Sequence, residues 1–104
     1  MANHVLQNKE YLLLLLNPAS SQQQQIALLN TATRAQRLAL AEVFKNLASL
    51  KDIPGKTKKL LATKKKIVKK LQAKRITALD IAKHRRYILQ VLLSVRNQLQ
   101  ELFK

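Results

Sequence analysis

The chain has 104 residues, of which 47% are hydrophobic, and it carries 20 Lys/Arg against 5 Asp/Glu, a formal net charge of +15 at pH 7. This length suits one domain, residues 1–104, and the absence of cysteine excludes disulfides, thiolate metal sites and a cysteine nucleophile. One Gly and two Pro leave few places for turns. We therefore expect an all-α fold, a compact bundle of four to five helices with a long C-terminal helix.

The first two predicted helices cover 3–16 and 22–30. The first ends before Pro18, because proline disfavours helical backbone in the residue that precedes it. The second can open at Ser20 or at Ser21, since each has a glutamine three residues on, the pattern of a capping box. The sequence leaves both openings as alternatives.

A third helix is predicted over 34–50, where Thr33 and Gln36 repeat the capping-box pattern. Its apolar residues recur every three or four positions, which is typical of an amphipathic core helix. The pair Pro54-Gly55 then interrupts the helical pattern. The sequence therefore predicts a joint in the chain at this point.

The charge changes at the same joint. Residues 1–50, here called the neutral part, carry four basic and two acidic residues, a balance of +2. Residues 51–104, the basic part, carry sixteen basic and three acidic residues, a balance of +13. Repulsion of that size weakens a compact fold unless salt or a polyanion relieves it. A polyanionic partner is therefore expected.

The fourth predicted helix covers 56–74 and has an apolar stripe with lysines on the opposite side. Lys64 falls inside the stripe and is expected to extend its charged end to solvent. A fifth, long helix begins after the capping box of Thr77 and Asp80 and runs to about residue 103. Three of its apolar residues lie off the main stripe and suggest a partner helix or a homodimer through this helix: Val91, Leu93 and Leu102.

The sequence offers little catalytic chemistry. His4 and His84 stand eighty residues apart, and the five acids are scattered, so neither a metal site nor an acid–base pair is indicated. The triplet Gly55-Lys56-Thr57 lacks the spacing of a phosphate-binding P-loop. We expect no enzymatic activity, no cofactor, no metal ion and no small-molecule substrate.

Basic residues carry the functional prediction. The segment from Lys56 to Lys74 contains no acid, whereas a merely solubilising surface usually mixes both signs. Lysine pairs with phosphate without demanding geometry, which indicates contacts with the DNA or RNA backbone and little reading of sequence. The predicted nucleic-acid-binding residues are Lys56, Lys58, Lys59, Lys65, Lys66, Lys69, Lys70, Lys74, Arg75, Lys83 and Arg86.

The second cluster of basic residues lies on the last predicted helix. Arg85 points closer to the apolar stripe than Arg86, so Lys83 and Arg86 are the expected contacts. For His84 a place on the helix surface is favoured over a functional role. For Tyr87 a packing role is favoured over stacking on a base.

A series of segments resembles a known family. In chain order they are Leu28–Ala32, Gln36–Leu40, Asn46-Leu47, the Ile53-Pro54 joint, the lysine-rich Lys58–Lys74 and Ile88–Leu93. Together they resemble the small basic proteins of Polinton (Maverick) elements and of the related adintoviruses of invertebrate genomes. The chain departs from that family in lacking a glycine pair after the basic region. The resemblance implies the product of a virus-like DNA element, a DNA-condensing or virion-core protein. We expect an intracellular location, in the nucleus or the virion.

Two other classes of function remain open. One is a helical structural protein that binds an acidic protein or a capsid surface. The other is a membrane-surface binder, because residues 56–74 read as a basic amphipathic helix. The absence of Trp, and of any Phe on that helix, argues against the membrane. The sequence does not distinguish DNA from RNA.

Overall fold

A computed structural model describes residues 3–47, 53–73 and 75–102. These residues form helices and no strand, which confirms the all-α fold class. The helices are α1 (Asn3–Gln7), α2 (Lys9–Leu16), α3 (Gln22–Asn30), α4 (Arg34–Leu47), α5 (Gly55–Thr63), α6 (Lys65–Leu71), α7 (Ala78–Lys83), α8 (Arg85–Ser94) and α9 (Arg96–Leu102). The Cα radius of gyration, 12.3 Å, is close to the value of about 13 Å expected for a compact domain of this length.

The predicted number of helices and the predicted long C-terminal helix are not confirmed. Single residues interrupt three of the five predicted helices, so the described residues form nine segments. The segment expected to be one helix from 78 to 103 is divided into α7, α8 and α9, the last of which has seven residues. The predicted end of the third helix, 48–50, lies outside the described residues.

The break between α5 and α6 is at Lys64, whose φ of −129° and ψ of 49° are not helical. The single hydroxyl hydrogen of Thr63 is shared between the carbonyl oxygens of Lys59 and Leu60, which lie 3.0 and 3.2 Å from Oγ1. The Leu60 carbonyl also accepts a hydrogen bond from the Tyr87 hydroxyl of α8, at 2.6 Å. Side-chain donors therefore occupy carbonyls that the helix ladder would otherwise use, which bends or ends a helix.

The break at Val95 shows the same competition. The hydroxyl of Ser94 donates to the carbonyl of Val91 at 2.6 Å, and the Val95 N–H bonds the carbonyls of Leu92 and Leu93 instead. At the break between α1 and α2, the Asn8 side-chain amide donates to the carbonyl of His4 at 2.8 Å, but the Asn8 backbone N–H keeps its helical bond to the same carbonyl at 3.2 Å. Short polar side chains thus compete for backbone acceptors at the ends of α5 and α8.

The predicted capping boxes are all present. They join Ser21 to Gln24, Thr33 to Gln36 and Thr77 to Asp80. At the start of α3 the alternative at Ser21 is the correct one, because its hydroxyl accepts from the backbone N–H of Gln24 at 3.1 Å. Cap signals are local in sequence, and they place the starts of these helices correctly.

Helices from both parts of the chain share one hydrophobic core. Phe44 and Leu40 of α4 belong to this core together with Ile81, Ile88 and Leu92 of the basic part, and all five side chains are buried. The helix α4 packs against α1, α6 and α7, while α8 packs against α2, α3 and α5. Within the described residues, no helix is long and apolar enough to cross a membrane.

Candidate nucleic-acid interface

Ten of the eleven predicted binding residues lie within the described part of the chain, and all ten are exposed. They are Lys56, Lys58 and Lys59 on α5, Lys65, Lys66, Lys69 and Lys70 on α6, Arg75 before α7, Lys83 on α7 and Arg86 on α8. Lys74 lies outside the described residues. These ten residues are called the cationic surface below.

The lysines of α5 and α6 are exposed because the opposite sides of both helices are apolar. The stripe residues Leu60, Leu61, Ile67 and Val68 are half-buried and pack against the shared core, and Leu71 is buried. Burial of this stripe fixes the rotation of each helix about its axis and leaves its lysines in solvent. Core packing thus presents the cationic surface.

Thr57 shows that the triplet Gly55-Lys56-Thr57 has a structural role. The Thr57 side chain is fully buried, and its Oγ1 lies 2.7 Å from Oγ of Ser94. Because Ser94 gives its one hydroxyl hydrogen to the carbonyl of Val91, Thr57 is the donor in this pair. Thr57 therefore fastens α5 to the end of α8 and is not presented to a nucleotide.

Asp80 is an acid at the edge of the cationic surface, where α6 meets α7. Its carboxylate accepts a hydrogen bond from the Thr77 backbone N–H at 3.1 Å, within the capping box. The hydrogen bonds with Thr77, and to a smaller extent the charges of Lys70 and His84, lower the pKa of Asp80. The carboxylate thus stays ionised and is engaged at the start of α7.

A cleft of about 270 Å³ lies where the break at Lys64 meets the break at His84. This feature is called the junction cleft below. It is lined by Lys64, Ile67, Lys83, His84, Arg85, Arg86 and Tyr87. Four of these described residues carry a formal positive charge and none is acidic. The two helix breaks therefore bring cations of separate helices around one concavity.

Tyr87 connects the two sides of the junction cleft. Its side chain is buried, and its hydroxyl donates to the Leu60 carbonyl at the end of α5. The Nζ of Lys64 lies 5.8 Å from the centre of the Tyr87 ring, at the outer range of a cation–π contact. Burial raises the pKa of Tyr87. The residue has the packing role expected from the sequence and does not present its ring for stacking.

Arg85 and Lys64 belong to this cleft, although neither was among the predicted binding residues. Arg85 is half-buried, and its Nη1 donates to the Ala82 carbonyl at 2.7 Å. Lys64 is exposed at the break, which is how a charge inside an apolar stripe reaches solvent. A lysine in the middle of such a stripe was the sequence signal that could have indicated the break.

His84 reports the electrostatic field of the junction cleft. Desolvation by burial, and then the charges of Lys83, Lys70 and Lys64, lower its pKa, while Asp80 acts in the opposite direction. Burial and the surrounding cations therefore favour the neutral imidazole over its charged form. Cations of α6 and α7, together with Lys64, thus surround this side chain.

Metal binding and dimerisation gain no support from the described residues. No group of three or more His, Asp or Glu side chains among them could hold a metal ion. Of the three residues that suggested a homodimer, Val91 is fully buried in the core and Leu93 is half-buried. The side chain of Leu102 is not among those that the structure describes. A homodimer through the C-terminal helical segments stays a prediction, and Val91 is not available to such an interface.

Comparison with protein-family models, with curated proteins and with solved structures finds no match for this chain. The resemblance to the Polinton and adintovirus proteins therefore stays a prediction. Function is inferred from the chemistry of two features, the cationic surface and the junction cleft.

Proposed function

We propose that this protein is a non-enzymatic nucleic-acid-binding protein that contacts the phosphate backbone with low sequence specificity. The observation that carries the proposal is the cationic surface, ten exposed Lys and Arg side chains, nine of them on helices whose apolar sides pack on the core. A condensing or virion-core role in the nucleus or virion, as the family resemblance implies, is the form of this activity that we favour.

Counterion release provides the binding energy in this proposal. Each phosphate neutralised by a lysine releases condensed cations, so affinity falls steeply as salt concentration rises. Seven of the ten exposed residues are lysines of α5 and α6, which carry charge but no fixed hydrogen-bonding fork. Such contacts hold the backbone without reading base edges.

The cationic surface suits a polyanion better than a membrane. The apolar residues of α5 and α6 pack against the core and are not available for insertion into lipid. Leu79, 76% exposed, is the one large hydrophobic residue of the described basic part that is markedly exposed. Burying one leucine contributes about 2 kcal/mol, which is too little for stable anchoring.

An acidic protein or capsid surface is the second candidate partner. Protein interfaces usually have a core rich in aromatic and other apolar residues and poor in lysine. The cationic surface is dominated by lysine, and the aromatic Tyr87 nearby is buried. These features favour nucleic acid as the partner.

Matched charge variants test the proposal. The variant K65Q/K66Q/K69Q removes three exposed charges from α6, and K9Q/R34Q/K45Q removes three exposed charges from the neutral part. Arg37 is unsuitable as a control because it is half-buried and donates to the Ala32 carbonyl at 3.0 Å. Glutamine is a good helix former, so both variants should keep the fold.

We expect the wild-type protein to bind duplex DNA with a slope of log K against log[salt] of roughly −5 to −9, for six to ten phosphate contacts. The α6 variant should lose more than about tenfold in affinity and show a slope shallower by about 2 to 3. The control should change little, and scrambling the DNA sequence should have no effect. Equal losses in both variants, a flat salt dependence or a strong preference for anionic vesicles would contradict the proposal.

A further inference from the structure

We infer that the junction cleft binds a phosphomonoester, the terminal phosphate of a nucleic-acid strand or the phosphate of a free nucleotide. The inference rests on the proposed function and adds a localised site to a surface that otherwise contacts phosphodiesters without preference. The observation behind it is the convergence of Lys64, Lys83, Arg85 and Arg86 on one concavity.

The charge of the ligand follows from the charge of the cleft. A phosphodiester carries one negative charge, whereas a phosphomonoester carries about −1.5 to −2 at neutral pH. Four cations surround the cleft, and no described lining residue is acidic. A concave site with walls of low dielectric constant concentrates the electric field. The additional negative charge of a monoester is therefore stabilised more strongly there than on the open lysines of α6.

One of the cations is held in place before any ligand binds, and a second lies beside a fixed ring. Arg85 uses Nη1 to donate to the Ala82 carbonyl, which fixes the plane of its guanidinium and leaves other N–H donors for a ligand. Lys64 lies near the ring of Tyr87, which is itself fixed by its hydrogen bond to Leu60. Preorganised donors lower the entropic cost of binding.

The size of the cleft favours a phosphate group over a whole nucleotide. Its volume, about 270 Å³, lies below the roughly 300 to 1,000 Å³ of pockets that enclose drug-sized ligands. The Tyr87 ring is packed and its hydroxyl is already engaged, so neither is free to bind a base. The base should therefore remain outside, and recognition should depend on the phosphate.

Protonation of His84 gives the site a spectroscopic signature. The groups that face this imidazole are Lys64, Lys70, Lys83 and Asp80, together with the other cleft residues Arg85 and Arg86. A bound phosphate would offset the surrounding positive charge and favour uptake of a proton by His84. The second histidine, His4, lies on α1 in the neutral part and serves as an internal control.

The experiment compares short oligonucleotides of one sequence that carry a 5′-phosphate, a 3′-phosphate or only hydroxyl ends. Fluorescence anisotropy measures their affinity for the wild-type protein, for K83Q/R86Q in the cleft and for K65Q/K69Q on α6. All four substituted residues are exposed, so circular dichroism should show unchanged helix content. We expect phosphorylated ends to bind at least about fivefold more tightly, the gain from one additional ion pair in a partly enclosed site.

This preference should disappear in K83Q/R86Q and persist in K65Q/K69Q. A free nucleoside monophosphate is then added as a competitor. If it abolishes the preference, the phosphate alone is recognised. If it has no effect, the site binds only the phosphorylated ends of strands. In NMR spectra, the phosphorylated oligonucleotide should move the imidazole signals of His84 and leave those of His4 in place.

Equal affinity for phosphorylated and hydroxyl ends, or equal shifts of both histidines, would overturn the inference. Such a result leaves the proposed function standing if salt-dependent binding persists. Absence of salt-dependent binding to every oligonucleotide would instead refute the proposed function itself.

Discussion

The neutral and basic parts both contribute to one core but differ in the charge that they present to solvent. Polar side chains of both parts reach the protein's own backbone. In the neutral part, the buried Gln25 donates to the Leu15 carbonyl at 2.8 Å, and in the basic part the Tyr87 hydroxyl donates to the Leu60 carbonyl at 2.6 Å. Only the basic part adds a dense set of lysines that face solvent. The difference shows that one core can support both an uncharged and a strongly cationic surface.

Substitution of a shared core residue should produce the largest effect. The variant Phe44→Ala should lower the free energy of unfolding by about 3 to 5 kcal/mol, because it leaves a cavity where both parts meet. Urea unfolding followed by circular dichroism and by tyrosine emission checks this, since Tyr11 reports on the neutral part and Tyr87 on the basic part. Two separate transitions would show that the two parts unfold independently, and they would contradict the conclusion that both parts share one core.

Charge repulsion should produce an intermediate effect that is confined to the basic part. Lys65 and Lys69, Lys66 and Lys70, and Lys66 and Lys69 are like-charged neighbours three or four residues apart on α6. Removing these three pairs in K65Q/K66Q/K69Q should raise the free energy of unfolding by on the order of 1 kcal/mol at low salt.

Thermal unfolding at two salt concentrations measures this gain. It should vanish near 1 M salt, where the Debye length is about 3 Å. The control variant K9Q/R34Q/K45Q should show little change at either concentration. A gain that survives high salt would mean that the lysines destabilise the fold for reasons other than charge.

The capping boxes should show an effect of about the same size and the sharpest contrast. Thr77→Ala and Thr33→Ala should each cost about 1 kcal/mol at neutral pH. The box of the basic part ends in Asp80, whose pKa is lowered by its hydrogen bonds with Thr77, while the box of the neutral part ends in the uncharged Gln36.

The pH dependence of these variants follows from the charge of Asp80. The carboxylate stabilises the folded state above the unfolded-state pKa of about 3.9, and this stability is lost as pH falls through the lower folded-state pKa. Because Thr77→Ala keeps the backbone N–H that donates to the Asp80 carboxylate, the variant that tests this charge is Asp80→Asn. Its cost should shrink in melts below pH 4, while that of Thr33→Ala stays constant. A parallel decline of both would show that acid weakens the whole fold and not this cap.

Features encoded by neighbouring residues were predictable from the sequence. The bounds of α3, residues 22–30, follow from the Ser21 capping box and the apolar residues behind it. The exposure of Lys65 and Lys69 follows from the helical period, because the residues between them, Ile67 and Val68, pack against the core. These signals act over three or four residues, which is the range that a pattern can show.

The junction cleft was not predictable in this way, and of the helix breaks only the one at Lys64 has a local signal, a lysine inside an apolar stripe. The hydrogen bond from Tyr87 to Leu60 joins residues 27 positions apart, and that from Thr57 to Ser94 joins residues 37 positions apart. Such partners are known only once the chain is folded. Lys64 and Arg85 belong to one cleft because the helices break beside them, so their proximity could not be read from periodicity.

The shortness of the helical segments also governs how the protein is made. Apart from α4, with 14 residues, every described segment has ten residues or fewer. Isolated helices shorter than about 12 to 15 residues are marginal in water. The core that stabilises them needs Ile88 and Leu92 of α8. A nascent chain on the ribosome should therefore remain a basic coil until α8 has been synthesised, and should then acquire helix and packing in one step.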